Sequence, residues 1–240
     1  MKVLMINGSP REKGNTALSL EEMRKVFEKN GIEVEIVNVG RLAVKGCLAC
    51  GACAKVGHCV QDELVPQLAE KLAAADGLVI GSPVHYASAG GALVSVLDRL
   101  FYSCQADLTM KVGAAICVAR RGGSSATFDE LNKYFTISGM PVASSQYWNM
   151  VYGRAPGEAA QDAEGMRTVR VLAENMSFLM KSIALGKEKY GLPEQEDRVF
   201  TNFIRYTPRI RGASVGRFFR CAWNARDRTR GRFFGANFTN

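Results

Sequence analysis

The sequence predicts an α/β fold, a three-layer sandwich in which a five-stranded parallel sheet of order 2-1-3-4-5 carries helices on both faces. Three observations carry that expectation. Apolar runs of strand length alternate along the chain with stretches of helical periodicity. The run at 112–119 is apolar almost without a break, the pattern of a strand buried on both faces. Loops rich in Gly, Ser and Pro at 8–16, 81–86 and 120–124 follow the first, third and fourth runs, and in this strand order they meet at one edge of the sheet.

The elements follow in turn. Residues 3–6 are the first strand, broken by Gly8, Ser9 and Pro10. Gly14, Asn15 and Thr16 open a helix with apolar positions at Leu18, Met23, Val26 and Phe27. Residues 32–39 alternate and read as a second strand, and a Cys-rich loop covers 46–60. A helix is expected over 62–75, with Pro66 tolerated in its first turn. The third strand, 77–80, ends at Gly81, Ser82 and Pro83, and a helix follows over 87–102 with Leu93, Val96, Leu97 and Leu100 on its apolar face. The fourth strand, 112–119, ends in Arg120, Arg121, Gly122, Gly123 and Ser124. A helix over 127–138, a fifth strand over 141–148 and a long helix over 158–186 complete the body. No repeat or low-complexity segment interrupts it.

A chain of 240 residues with 47% hydrophobic content can bury one substantial core. No apolar run has membrane-span length. The first strand begins right after Met1, and the seven cysteines, four of them within 13 residues, do not resemble a secreted disulfide framework. The expected location is therefore the cytoplasm, away from membranes. The net charge of +8 is unevenly spread: 1–197 hold 21 basic and 22 acidic residues, whereas 198–240 hold ten Arg, no Lys and one acid, Asp227. The same 198–240 stretch holds nine of the 21 aromatics. The composition shift divides the chain into a body, 1–197, and an extension, 198–240.

The 8–16 loop is the first candidate site. A strand, a small-residue loop and a helix start make an anion cradle, because the first N–H groups of a helix lack internal partners and its dipole favours negative charge there. Ser9, Arg11, Asn15 and Thr16 would complete a phosphate site, the alternative being an ordinary strand-to-helix turn. Five residues separate Gly8 from Gly14 and Asn15 stands where a Walker Lys would be, which argues against nucleotide triphosphate hydrolysis. The dinucleotide pattern G-x-G-x-x-G is absent from the loop.

The second candidate is Cys47, Cys50, Cys53 and Cys59, spaced C-x2-C-x2-C-x5-C. This is iron–sulfur spacing; structural zinc more often uses two separated knuckles. Reduced, metal-free thiols and zinc remain open alternatives on the residues alone. His58 is either an exposed loop residue or a donor to a cluster sulfur. Cys117, Met23, Met176 and Met180 read as core, Cys104 as a helix end, and Asp98 with Arg99 as a surface or interface charge pair.

The GSPR…GNT loop, the GSPVHY segment at 81–86 and the helix after it resemble the NADPH-dependent FMN reductase and iron–sulfur flavoprotein group of the flavodoxin-like superfamily, over about residues 1–150. The resemblance implies a flavodoxin-like fold and FMN as cofactor. Ser9, Arg11, Gly14, Asn15 and Thr16 would hold the FMN phosphate. Pro83, Val84, His85 and Tyr86 would line the isoalloxazine, with Arg120, Gly122 and Gly123 approaching its other side. The compact cysteine motif resembles that of iron–sulfur flavoproteins and implies a [4Fe–4S] cluster, although Val60 rather than Pro follows the last cysteine.

The expected activity is an FMN-dependent oxidoreductase, with NAD(P)H or a ferredoxin-like protein as donor and a small molecule or protein as acceptor. No dedicated acid–base residue stands out, and His85 and Tyr86 are flavin-face candidates only. A non-catalytic electron carrier or redox sensor is the alternative; the near-neutral body argues mildly against a free carrier. For 198–240 the expectation is an arm in a homodimer or homotetramer, anchored by Phe218, Phe219, Trp223, Phe233 and Phe234. A disordered, solvated tail is the first alternative, and nucleic acid or phosphate binding the weakest reading, because Pro208 and the glycines at 212, 216, 231 and 235 interrupt any continuous recognition helix.

Overall fold

The computed structural model describes residues 1–196; the expectations for 198–240 lie outside the described residues. The strands are β1 (Lys2–Asn7), β2 (Glu33–Asn38), β3 (Gly77–Pro83), β4 (Val112–Ala119) and β5 (Met150–Tyr152). The helices are α1 (Asn15–Lys29), α2 (Ala52–Val56), α3 (Leu64–Ala74), α4 (Gly91–Ser103), α5 (Ser124–Ile137) and α6 (Ala163–Tyr190), with a 3₁₀ turn at Glu158–Gln161. The strands form one sheet of order β2-β1-β3-β4-β5, parallel throughout, as the sequence predicts.

Side chains on a strand point alternately to the two faces, and β1 divides that way. Val3 and Met5 enter one core; Leu4 and Ile6 enter the other. β4 divides likewise, with Val112, Ala114, Ile116 and Val118 on the first face and Ala115 and Cys117 on the second. α1 and α6 close the first core with Leu20, Met23, Phe27, Leu172 and Met176. α3, α4 and α5 close the second with Leu68, Leu72, Leu97, Leu100, Leu131 and Phe135. Each such side chain removed from water contributes roughly 1.5–3 kcal/mol, which is why both faces must be covered before the sheet is stable.

The fifth strand is a correction. Residues 141–148 were the expected strand, but the paired segment is Met150–Tyr152, against Cys117, Val118 and Ala119. Only Val142 of the expected stretch bridges β4, opposite Gly113. Between them the chain leaves the sheet, held to the α6 side by the Asn175 Nδ2 bond to the Ser144 carbonyl (2.8 Å) and the Ser145 Oγ bond to the Thr168 carbonyl (2.7 Å). Asn149 stands in for a strand residue, its Nδ2 donating to the Ala115 carbonyl at 3.0 Å. Tyr147 and Trp148 are exposed on this excursion, so their β propensity was misleading.

Two further boundaries move. β3 runs on through Gly81, Ser82 and Pro83, which pair with Ile116, Cys117 and Val118. The helix expected from 87 starts at Gly91 instead, because His85 and Ser88 close a tight two-residue turn. The parallel sheet sends the chain out of every strand at the same edge, so the loops after β1, β2, β3, β4 and β5 all emerge there.

Candidate functional site

The anion cradle begins where β1 ends. Asn7 Oδ1 accepts the Ser9 N–H at 3.0 Å, and Ser9 Oγ accepts the Arg11 N–H at 3.2 Å. The Gly14 N–H then donates to the Arg11 carbonyl at 3.0 Å, curling the chain into α1. Among the described residues no side chain caps α1, and no acid lies in its first turn. Its first backbone N–H groups, from Asn15 onward, therefore face out of the helix end, beside buried Ser9, Gly14 and Thr16. Arg11 is exposed, with Nη1 on the Arg154 carbonyl at 3.2 Å. Open N–H groups, two hydroxyls and a cation that pairs with no carboxylate among the described residues fit a phosphate monoester.

Asn15 serves a different purpose from the one its sequence position implies. Its Nδ2 donates to the Ala155 carbonyl at 2.9 Å, and its Oδ1 accepts from Gly157 N (2.9 Å) and Ala159 N (3.2 Å). The side chain thus bolts the loop after β5 onto the cradle, and what Asn15 offers an anion is its backbone N–H. This loop was missed from sequence. The Gly153-Arg154-Ala155-Pro156-Gly157 run was the available signal.

The loops after β3 and β4 form the second wall. Val84 N–H donates to the Val118 carbonyl at 2.9 Å. His85 and Ser88 exchange backbone hydrogen bonds at 2.9 and 3.0 Å, and the residues between them, Tyr86 and Ala87, hold φ of 51° and 60°. Two consecutive non-glycine residues in the left-handed region are uncommon and strained. The turn is held by Glu130 of α5, whose carboxylate accepts Ser88 Oγ and the Ala89 N–H at 2.8–3.0 Å. Ser82 Oγ accepts the Gly90 N–H at 3.0 Å. Gly123 has φ of 90°, and a Cβ there would lie 2.8 Å from the Ala87 Cα, so the two loops touch backbone to backbone. Pro83 and Val84 are half-buried, while His85, Tyr86, Arg120 and Gly122 are exposed at this edge. Glu130 had no sequence signal separating it from an ordinary helix residue.

The cysteines lie on the excursion between β2 and α3. Cys47 and Cys50 are exposed, and Cys53 and Cys59 half-buried. Ala49, Gly51 and Gly57 take positive φ around the short helix α2, which winds the loop tightly. Among the described residues no three His, Cys, Asp or Glu side chains are gathered as a metal site. His58 is exposed. Cys104 is buried at the end of α4, and Cys117 lies fully in the core, where burial pushes its thiol up to about 12.

Arg99 is a correction to the sequence reading. It is not a surface residue paired with Asp98; its side chain is completely buried. Nη1 lies 2.8 Å from Asp62 Oδ2 and 3.3 Å from the Lys45 carbonyl, and Nε donates to Cys59 Sγ at 3.3 Å. Asp98 instead accepts from the Tyr134 hydroxyl at 2.5 Å. The guanidinium holds the Asp62 carboxyl below its usual range, and Asp62 in turn raises Arg99. Val96, three residues before Arg99, and Ser103, four residues after it, are buried on the same face of α4, and apolar Val96 was the available signal that position 99 faces inward.

A doubly wound parallel sheet with an anion cradle after β1 and two interlocked turns after β3 and β4 defines a flavodoxin-like protein. Residues 1–155 match the NADPH-dependent FMN reductase family. The chain belongs to that family and is an FMN-dependent oxidoreductase. An iron–sulfur flavoprotein of Methanocaldococcus jannaschii is 32% identical over 193 residues, covering 76% of this chain and 99% of that one. An iron–sulfur flavoprotein of Methanosarcina thermophila is 30% identical over 195 residues, covering 79% and 100%. Among solved structures, RosB with bound 8-demethyl-8-formylriboflavin-5'-phosphate superposes with a TM-score of 0.60 at 21% identity, over 90% of this chain and 97% of that one, a likeness of fold.

Proposed function

We propose that this FMN oxidoreductase takes electrons from NAD(P)H or a protein donor and passes them to a small-molecule or protein acceptor, with a [4Fe–4S] cluster on Cys47, Cys50, Cys53 and Cys59. FMN supplies the redox chemistry; this chain's residues bind it, orient it and shape its surroundings. The first-turn N–H groups of α1, with Ser9, Thr16 and Arg11, hold the phosphate, and Asn15 fixes the loop after β5 beside it. The turn at 83–88 and the Gly122-Gly123 backbone form the walls of the ring site. Thiolates are the ligands iron–sulfur clusters use, each taking a different corner, and the loop offers four at compact spacing. Among the described residues the Nη2 of Arg99, buried on the guanidinium that touches Cys59, has no acceptor, which leaves a donor free to serve that loop.

The observation that carries this reading is the convergence of the uncapped α1 end, the 83–88 turn and the cysteine loop on one edge of the sheet. The experiment is anaerobic purification with flavin, iron and sulfide quantified, followed by NAD(P)H oxidation with a quinone or ferricyanide as acceptor. Bound FMN, about four irons per chain and turnover are expected. Stoichiometric zinc, or no metal after anaerobic reconstitution, would remove the cluster; slow turnover with every donor and acceptor would remove the proposed electron path.

A further inference from the structure

Arg99 is a buried cation that nothing in the FMN site uses. Its side chain has no exposure, and its three bonded partners, Lys45, Cys59 and Asp62, bracket the cysteine run on both sides. Lys45 stands two residues before Cys47; Cys59 is the last cysteine and Asp62 lies just past it. One guanidinium from α4 therefore pins both ends of the loop to the helix. Its Nη2 is buried without an acceptor among the described residues. A buried charge with an unpaired donor is costly, and an apolar side chain of similar volume would avoid that cost. Packing alone does not account for an arginine here.

We propose that Arg99 is the positioning residue of the cysteine loop: it clamps the loop's two ends, donates an N–H to the Cys59 sulfur, and sets the reduction potential of the cluster the loop holds. The inference rests on the proposed cluster. A thiolate-ligated cluster becomes more negative when reduced. A fixed cation and N–H···S bonds stabilise that added charge more than they stabilise the oxidised form. Asp62 opposes the effect, because its carboxylate partly neutralises the same guanidinium at 2.8 Å. The pair therefore sets the potential in opposite directions from two sides of one contact.

The test uses the full chain, purified and reconstituted anaerobically with iron and sulfide. Wild type is measured first for iron, sulfide and cluster midpoint potential by redox titration. Arg99→Met keeps volume and removes the charge. It is expected to retain FMN, to hold the cluster about tenfold less tightly against a chelator, and to shift the midpoint to more negative values. Asp62→Asn keeps the acceptor for the Val65 N–H but removes the countercharge, and is expected to shift the midpoint the other way. Arg99→Lys is expected to fall between wild type and Arg99→Met. A purely structural tie would loosen the loop in the Arg99 and Asp62 variants without shifts of opposite sign. If Arg99→Met does not fold, the sign of the Asp62→Asn shift decides. A wild type without iron overturns the cluster itself and the inference with it. A wild type that carries iron, with the midpoints of the Arg99→Met and Asp62→Asn variants unmoved or moved in one common direction, overturns the role of Arg99 alone.

Discussion

Asn15 is a single side chain that joins two loops separated by 140 residues of sequence, through three hydrogen bonds to backbone groups of Ala155, Gly157 and Ala159. Its removal leaves one acceptor and two donors unpaired at the edge of the cradle, the buried Ala159 N–H among them. Asn15→Ala is expected to lower unfolding stability by about 2–3 kcal/mol and to weaken FMN retention, measured by urea denaturation and by flavin released on gel filtration. Asn15→Asp separates the two effects. It keeps both accepted bonds and suits a helix N-terminus, so stability falls less, yet it places a negative charge beside the phosphate and flavin is lost. Equal flavin content in wild type and Asn15→Asp would remove the phosphate from this loop. At this scale the sequence was half legible. The hydroxyls, the cation and the glycine of the cradle announce an anion site by residue type and spacing. Asn15 as a bolt, Arg99 as a buried clamp and Glu130 as the holder of a strained turn do not, because each is defined by partners 37 to 144 residues away.

At the scale of elements, strand order and helix sides were readable because period-two and helical apolar patterns report burial directly. β4 was legible to its exact ends, since all eight of its residues are buried. β5 was not. Its paired segment is three residues long, and the longer stretch before it, 141–148, is diverted by side-chain bonds to α6. Surface ties between elements were equally silent in the sequence. Glu35 on β2 bridges Lys2 on β1 and Lys71 on α3, and these two ammonium groups hold its carboxyl below the usual range. A depressed folded value means stability that is present above the unfolded value of about 4.3 and is lost as pH falls through the folded value. Glu35→Gln is therefore expected to be less stable than wild type at pH 7, with the gap closing toward pH 3. Urea midpoints across that range measure it. The pair is half-exposed, so the difference is also expected to shrink in 1 M salt. A gap that stays constant with pH would mean that the charge on Glu35 contributes nothing.

At the scale of the molecule, the described residues already satisfy what this architecture demands: both faces of the sheet are covered, and every strand's carboxyl end carries its loop. Among them no helix is long and apolar enough to cross a membrane. The extension from 198 brings ten arginines, nine aromatics and a net charge of +9, more than the whole chain's +8, in a composition matching protein interfaces more than a flavin site requires. Truncation after Glu196 is consequently expected to leave the thermal transition and the FMN content of the body unchanged. It is expected to lower the molar mass in solution toward that of one chain, measured by light scattering at matched concentration. The proposed arm makes contacts between copies; the cradle, the 83–88 turn and the cysteine loop lie wholly within 1–196. A truncated protein that keeps the full-length mass would show that assembly belongs to the body, and the arm would then have to be sought in another partner. One that loses FMN as well as mass would instead place part of the extension, or a second copy, over the flavin.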